Sequence, residues 1–223
     1  MSKLIQIQEK VIVGGPESGH DLLVSMVGSY LSKVYNIQGF NTTTVAARAV
    51  ELCGWNSLIA STASLGYTGE HAKQKVAFLE ENYKGASDKV MLMERDYKDQ
   101  IAIAMVRTGT PRDLESALKA SNRLDEITRK VLSLGGSHSK ISFEDMVENP
   151  HSVLVSVLKS LVPTEDTRIN LETVEEVVTE SEIRGLRFDS GSGLLERIGT
   201  YGDILPREVA VDIDATQNNR VFM

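Results

Sequence analysis

The stretch that most constrains this chain runs from Val11 to Leu23, VIVGGPESGHDLL. Lys10 to Val13 reads as a buried strand. The pattern breaks at Gly14, Gly15 and Pro16, and apolar residues return at helical spacing at Leu22, Leu23, Met26 and Val27. Strand, glycine-rich turn and helix are the parts of a P-loop, in which a tight backbone turns successive N–H groups at the helix start toward an anion. A nucleotide-hydrolase loop, GxxxxGK[ST], would place a lysine after Gly19, and His20 stands there instead. Taken alone, the loop supports two readings: a phosphate cradle without the usual lysine, or a tight turn in an ordinary α/β protein.

The rest of the chain alternates in the same way. The first helix is expected from about Gly19 to Asn36, and a second over Val45 to Leu52 with Asn41 or Thr42 as cap. Ser57 to Ser61 reads as a short strand, Gly66 to Gly69 as a loop, and Glu70 to Tyr83 as a helix. Lys89 to Met93 is a clear apolar strand ending abruptly in Glu94-Arg95-Asp96. A helix follows from Tyr97 to Arg107, with Ile101, Ala104 and Met105 sharing a face. Pro111 suits the first turn of a long amphipathic helix reaching about Leu134, which Gly135 and Gly136 stop. Ser139 to Phe143 reads as a third strand, Glu144 to Leu161 as a helix broken near Pro150, and Asn170 to Ser181 as a short helix. From residue 183 to 223 the pattern loosens. Strands alternating with helices predict a single α/β domain over 1–223, three-layered, with a mainly parallel sheet and helices on both faces. Ligands of such folds sit at the C-terminal ends of the strands, where the Gly14 loop and Arg95 both fall.

Composition narrows the function classes. A formal net charge of -7 argues against general nucleic-acid binding, though a local basic pocket for a small anion remains compatible. Cys53 is the single cysteine, so neither an internal disulfide nor a cysteine-based zinc site can form. No apolar run reaches membrane-spanning length, and Met1 to Lys10 lacks the apolar core of a secretion signal. A cytoplasmic protein is the expectation, with its oligomeric state open.

Four segments, in order, resemble the sulfotransferases that use 3'-phosphoadenosine 5'-phosphosulfate. Pro16-Glu17-Ser18-Gly19-His20-Asp21 is similar to the family's Pro-Lys/Arg-Ser-Gly-Thr-Thr loop, which holds the 5'-phosphosulfate and also lacks a Walker-type lysine. Arg95-Asp96-Tyr97-Lys98-Asp99, at the end of an apolar strand, is similar to Arg-Asp/Asn-Pro-Lys/Arg-Asp, whose arginine holds the 3'-phosphate. Ser142 to Pro150 resembles a Tyr-Glu-Asp-Leu-x-x-x-Pro segment that positions the fold. Arg197-Ile198-Gly199-Thr200-Tyr201-Gly202-Asp203 resembles the C-terminal loop that closes over the 3'-phosphate. The resemblance implies a P-loop NTPase-like fold of the sulfotransferase type, that nucleotide as co-substrate and no metal. It implies cofactor contacts at Gly15, Pro16, Glu17, Ser18, Gly19, His20, Asp21, Arg95, Arg197 and Gly199. The residue chemistry agrees: two anionic ends call for a backbone nest and for guanidinium forks such as Arg95 and Arg197. Gly199 lets backbone approach an anion closely.

The departures bear on activity. Glu17 replaces the basic residue at the transferring sulfonate, where charge moves rates by orders of magnitude. His20 and Asp21 replace two threonines, Ile103 replaces a serine that helps hold the 3'-phosphate, and Ile198 replaces the lysine of the C-terminal loop. The family's histidine base has no counterpart in Ser57 to Ser64. His71 and His20 are the candidate catalytic histidines, His20 either as base or as a cation offsetting Glu17. Three functions therefore stand open. The first is sulfonate transfer to a hydroxyl or amine of a small-molecule or carbohydrate acceptor. The second is an impaired relative binding a nucleotide or a partner. The third, a P-loop kinase, lacks its lysine at 20 and its Ser/Thr at 21.

Overall fold

In the computed structural model, the residues described are 10–14, 17–35, 59–62, 81, 84–85, 87–109, 111, 113–120, 122, 129, 139–162, 169–181, 198–199 and 201–218. Four strands appear among them: β1 (Lys10–Gly14), β2 (Ile59–Thr62), β3 (Val90–Glu94) and β4 (Ser139–Ser142). The helices are α1 (His20–Tyr35), α2 (Tyr97–Thr108), α3 (Phe143–Glu148), α4 (Pro150–Leu161), α5 (Leu171–Glu180), α6 (Tyr201–Ile204) and α7 (Arg207–Asn218), with a further helical stretch at 114–120. The described chain is thus mostly helical around a small sheet.

The strands pair in the order β2-β1-β3-β4, and every pairing is parallel. Ile12 lies opposite Ser61 on one side and Met91 on the other, and Met93 lies opposite Ile141. Parallel pairing sends the C-terminal ends of β1, β3 and β4 to one edge of the sheet. The loop after β1, Arg95 after β3 and Phe143 after β4 all start from that edge.

Successive side chains of a strand point to opposite faces, yet Val90, Met91, Leu92 and Met93 are all buried. Both faces of β3 are therefore covered, as expected of a parallel strand. One core joins Ile12, Met91, Met93 and Ile141 of the sheet to α1, α3, α4 and α5, through residues such as Leu23, Leu31, Phe143, Leu158 and Val177. A second joins Ile101, Ala102 and Met105 of α2 to Ala117, Leu205, Val209 and Ile213. Each such side chain contributes about 1.5–3 kcal/mol on full burial.

Local chemistry sets the helix ends. Asp96 caps α2, its side chain accepting the N–H groups of Lys98 and Asp99, and Gly109 ends that helix in the left-handed region at φ 65°. Ser142 caps α3, and Pro150 takes the first turn of α4, where its missing N–H costs nothing. Asn170 caps α5 through the N–H groups of Glu172 and Thr173, and its own N–H donates to the Tyr30 hydroxyl at 2.8 Å.

Several expectations change. Residues 201–218 are largely helical rather than irregular, because Val209 and Ile213 recur at helical spacing and fill the second core. Pro111 is not in a first helical turn. Asp113 caps that helix instead, its carboxylate accepting the N–H of Ser116 at 2.8 Å. Phe143 opens a helix rather than closing a strand, since Ser142 accepts the N–H of Asp145 at 3.2 Å. Helix α2 buries all of Asp99 to Met105 rather than one face. The second strand of the chain sits at Ile59–Thr62, one to two residues later than read from the sequence. The expected helices at 45–52 and 70–83 and the loop at 66–69 lie outside the described residues, apart from residue 81, which is helical. The long helix after Pro111 is described only in part.

Candidate functional site

The loop after β1 turns on two left-handed backbones, Glu17 at φ 62° and Gly19 at φ 83°. Glycine takes this conformation freely, whereas for glutamate it costs about 1–2 kcal/mol. Backbone strain of that kind concentrates at binding sites. Gly19 starts α1, its carbonyl accepting the N–H groups of Leu22 and Leu23. Ser18 and His20 are both buried, and Ser18 Oγ lies 3.0 Å from His20 Nδ1. The loop therefore holds a histidine at a helix start with one ring nitrogen engaged by a hydroxyl.

Arg95 reaches this loop from the end of β3. It is 6% exposed, and its Nη1 donates to the carbonyl of Glu17 at 3.4 Å. Its guanidinium carbon sits 4.0 Å from the centre of the Phe143 ring, a cation–π contact in a desolvated place. Phe143 in turn lies against the loop: a Cβ on Gly19 would fall 2.3 Å from its Cδ2. The turns after β1, β3 and β4 are thus locked together around one aromatic ring.

Glu144 adds a second tie between β3 and β4. Its Oε1 accepts the Asp96 N–H at 3.0 Å, and its Oε2 accepts the Ser142 hydroxyl at 2.8 Å. This carboxylate ties the turns after β3 and before α3 together. Beside it, Gln100 Nε2 donates to the Arg95 carbonyl at 2.9 Å.

The C-terminal turn joins from the other side of Arg95. Gly199 has φ 76°, and its N–H donates to Asp99 Oδ2 at 2.8 Å, while the Tyr201 N–H donates to Asp99 Oδ1 at 2.9 Å. Asp99 Oδ2 also lies 3.9 Å from Arg95 Nε. Burial pushes the Asp99 carboxyl above the ordinary carboxylate range. The N–H groups of Tyr201 and Gly199 and the charge of Arg95 oppose that shift, and Asp96 adds to it. Lys98 bonds Asp214 of α7 at 2.8 Å and stands 4.7 Å from the centre of the Tyr201 ring. Burial works against its charge, but Asp214, Asp96 and Tyr201 outweigh it and raise its pKa.

Of the residues singled out in the sequence, Glu17, Ser18, Gly19, His20 and Arg95 come together, and Gly199 reaches the same neighbourhood through Asp99. The Gly199 N–H is directed at Asp99. Asp21 belongs to the first turn of α1. Gly15, Pro16, His71 and Arg197 lie outside the described residues. Ile103, at the position of the family's serine, is buried in α2. Asp99 and Phe143 lie in the matched segments Arg95–Asp99 and Ser142–Pro150 but were given no site role of their own. Asp99 could have been singled out from its place four residues after Arg95, within one helical turn.

Among the described residues no three His, Cys, Asp or Glu side chains are grouped to share a metal ion, and no helix is long and apolar enough to cross a membrane.

No protein-family model matches the chain, and no curated protein matches it. Among solved structures it is similar to the sulfotransferase domain of the Synechococcus PCC 7002 olefin synthase, with 13% identity and a TM-score of 0.46, over 98% of this chain and 97% of that one.

Proposed function

We propose that this chain is a single-domain, three-layered, P-loop-type sulfotransferase-like protein of the cytoplasm that binds 3'-phosphoadenosine 5'-phosphosulfate. The observation that carries the reading is the approach of Arg95 Nη1 to the Glu17 carbonyl at 3.4 Å. It puts a guanidinium and a strained loop at a helix start on one sheet edge, where ligands of parallel sheets bind. The loop N–H groups of Gly15 and of Glu17 to Asp21 would receive the 5'-phosphosulfate. Arg95, with Arg197 and the turn at Gly199, would frame the 3'-phosphate. In transfer, an acceptor oxygen or nitrogen attacks sulfur in line, the bond from sulfur to the 5'-phosphate oxygen breaks, and the acceptor proton passes to a histidine, His20 or His71. The bisphosphate leaves, its new charge held by the loop N–H groups.

A specific observation favours a second reading. Glu17 stands in the loop, and the Arg95 guanidinium is already stacked on Phe143 and bonded to the loop backbone. A protein built this way could bind the nucleotide, or a protein partner, without transferring sulfonate.

Incubation with the phosphosulfate donor and a panel of hydroxyl and amine acceptors, read by mass spectrometry for sulfonated product, separates the two. Product, with faster turnover in Glu17→Lys, supports transfer. Tight nucleotide binding in both proteins with no product supports the binding module. No nucleotide binding by either protein rejects transfer and leaves only the partner-binding form of the second reading.

A further inference from the structure

We propose that Asp99 is a positioning residue that couples the turn at Gly199–Tyr201 to the loop at Glu17–Gly19, so that ordering one end of the site orders the other. The inference deepens the site proposed above but concerns the protein without ligand, so each can fail alone.

Asp99 is fully buried, and its two carboxylate oxygens accept one backbone N–H each, from residues 100 and 102 positions further along the chain. The turn they hold is exposed at Ile198 and Gly199, and Gly199 stands in the left-handed region. Tyr201 packs against the second core, while the exposed Ile198–Gly199 end has little apolar surface to fix it, so the two bonds to the buried carboxylate set its position. The dependence runs both ways. A buried carboxylate deprived of its donors is left unsatisfied in a medium of low dielectric, which is costly.

The same oxygen that accepts from Gly199 lies 3.9 Å from Nε of Arg95, four residues earlier, between β3 and α2. Arg95 passes the constraint on through its bond to the Glu17 carbonyl. Glu17 holds a backbone that glutamate does not choose by itself, so its conformation depends on what it is bonded to. Gly199, Asp99, Arg95 and Glu17 thus form a continuous physical path. Its middle is anchored by the Asp96 cap and by Glu144 on the Asp96 N–H. Coupling by such a path is reciprocal. Lys98 offers a second handle on the turn, because its contacts run to Asp214, Tyr201 and Asp96. It grips the turn without lying on the path.

Amide hydrogen exchange, read residue by residue in the free full-length protein, tests this. In Asp99→Asn, exchange at Gly199 and Tyr201 should quicken by about tenfold or more, with Leu22 and Leu23, whose N–H groups donate to the Gly19 carbonyl, quickening alongside. Arg95→Met should quicken the same two regions. Lys98→Met should quicken Tyr201, and Leu22 and Leu23 with it, because a looser turn reaches the loop through Asp99. If Asp99→Asn or Lys98→Met loosens only the 199–201 turn, the coupling is refuted. Should the variants not fold, the wild-type protein still decides. Exchange in rising sub-denaturing urea should bring Leu22, Leu23, Gly199 and Tyr201 to one shared opening below global unfolding; separate openings overturn the proposal.

Discussion

Phe143 occupies the space that a side chain on Gly19 would need: a Cβ there would lie 2.3 Å from Cδ2 and 2.7 Å from Cε2 of the ring. The contact joins the start of α1 to the start of α3, and the backbone of Gly19 adds its own demand at φ 83°. Gly19→Ala should therefore destabilise by about 2–4 kcal/mol, from overpacking plus left-handed strain. Urea unfolding checks this. Placing the change in a Phe143→Leu background should shrink its effect to about 1 kcal/mol, the backbone part alone, because neighbours in contact do not add.

Arg95 combines a bond to the Glu17 carbonyl with a cation–π contact on Phe143, and its planar guanidinium spreads donors and charge over both. Arg95→Lys keeps the charge but should cost about 1–3 kcal/mol of stability in a denaturant titration. An unchanged midpoint would mean that the charge alone matters here.

Tyr30, almost wholly buried, accepts the N–H of Asn170 and so docks the capped end of α5 onto α1. Burial raises the pKa of its hydroxyl, against the effect of the Asn170 bond. Tyr30→Phe should cost about 1–2 kcal/mol, since the Asn170 N–H loses its acceptor, and Asn170→Ala about 1 kcal/mol by loss of the cap. Thermal unfolding of both variants measures these values.

Asp99 gives a pH signature opposite to that of most paired carboxylates. Its folded pKa lies above the ordinary value of 3.8, chiefly through burial, so the folded protein holds this proton more tightly than the unfolded chain does. Its contribution to stability is then fully present below pH 3.8 and lost as pH rises through the raised folded pKa. The stability of wild type relative to Asp99→Asn should fall with rising pH across that window and level off above it. Urea titrations at a series of pH values would show this, and a difference that grew with pH would contradict it.

The strands were legible because each is a short apolar run bounded by breakers. Lys10 to Gly14 and Val90 to Glu94 were read almost to the residue. The gathering of the loop and Arg95 on one edge followed from parallel pairing alone. Helix α7 was missed because acidic residues surround Val209 and Ile213, so its apolar face is a narrow stripe that shows only once Ile101 and Met105 are seen packed against it. Phe143 and Asp99 were missed for another reason: their partners, Gly19, Gly199 and Tyr201, are distant in sequence, and pairings of that range leave no local period. Arg95 was legible as a site residue from its place at a strand end, but not the Phe143 ring under it.

Calorimetric titration with 3'-phosphoadenosine 5'-phosphate, on the wild-type protein and on Arg95→Ala, tests the central claim most directly. The expected result is roughly micromolar binding by the wild type, weakened by a hundredfold or more in Arg95→Ala, since a buried guanidinium on a phosphate is worth about 2–3 kcal/mol or more. Heat signals absent from the wild type at millimolar ligand, or binding that Arg95→Ala leaves intact, would contradict a nucleotide site at this edge of the sheet.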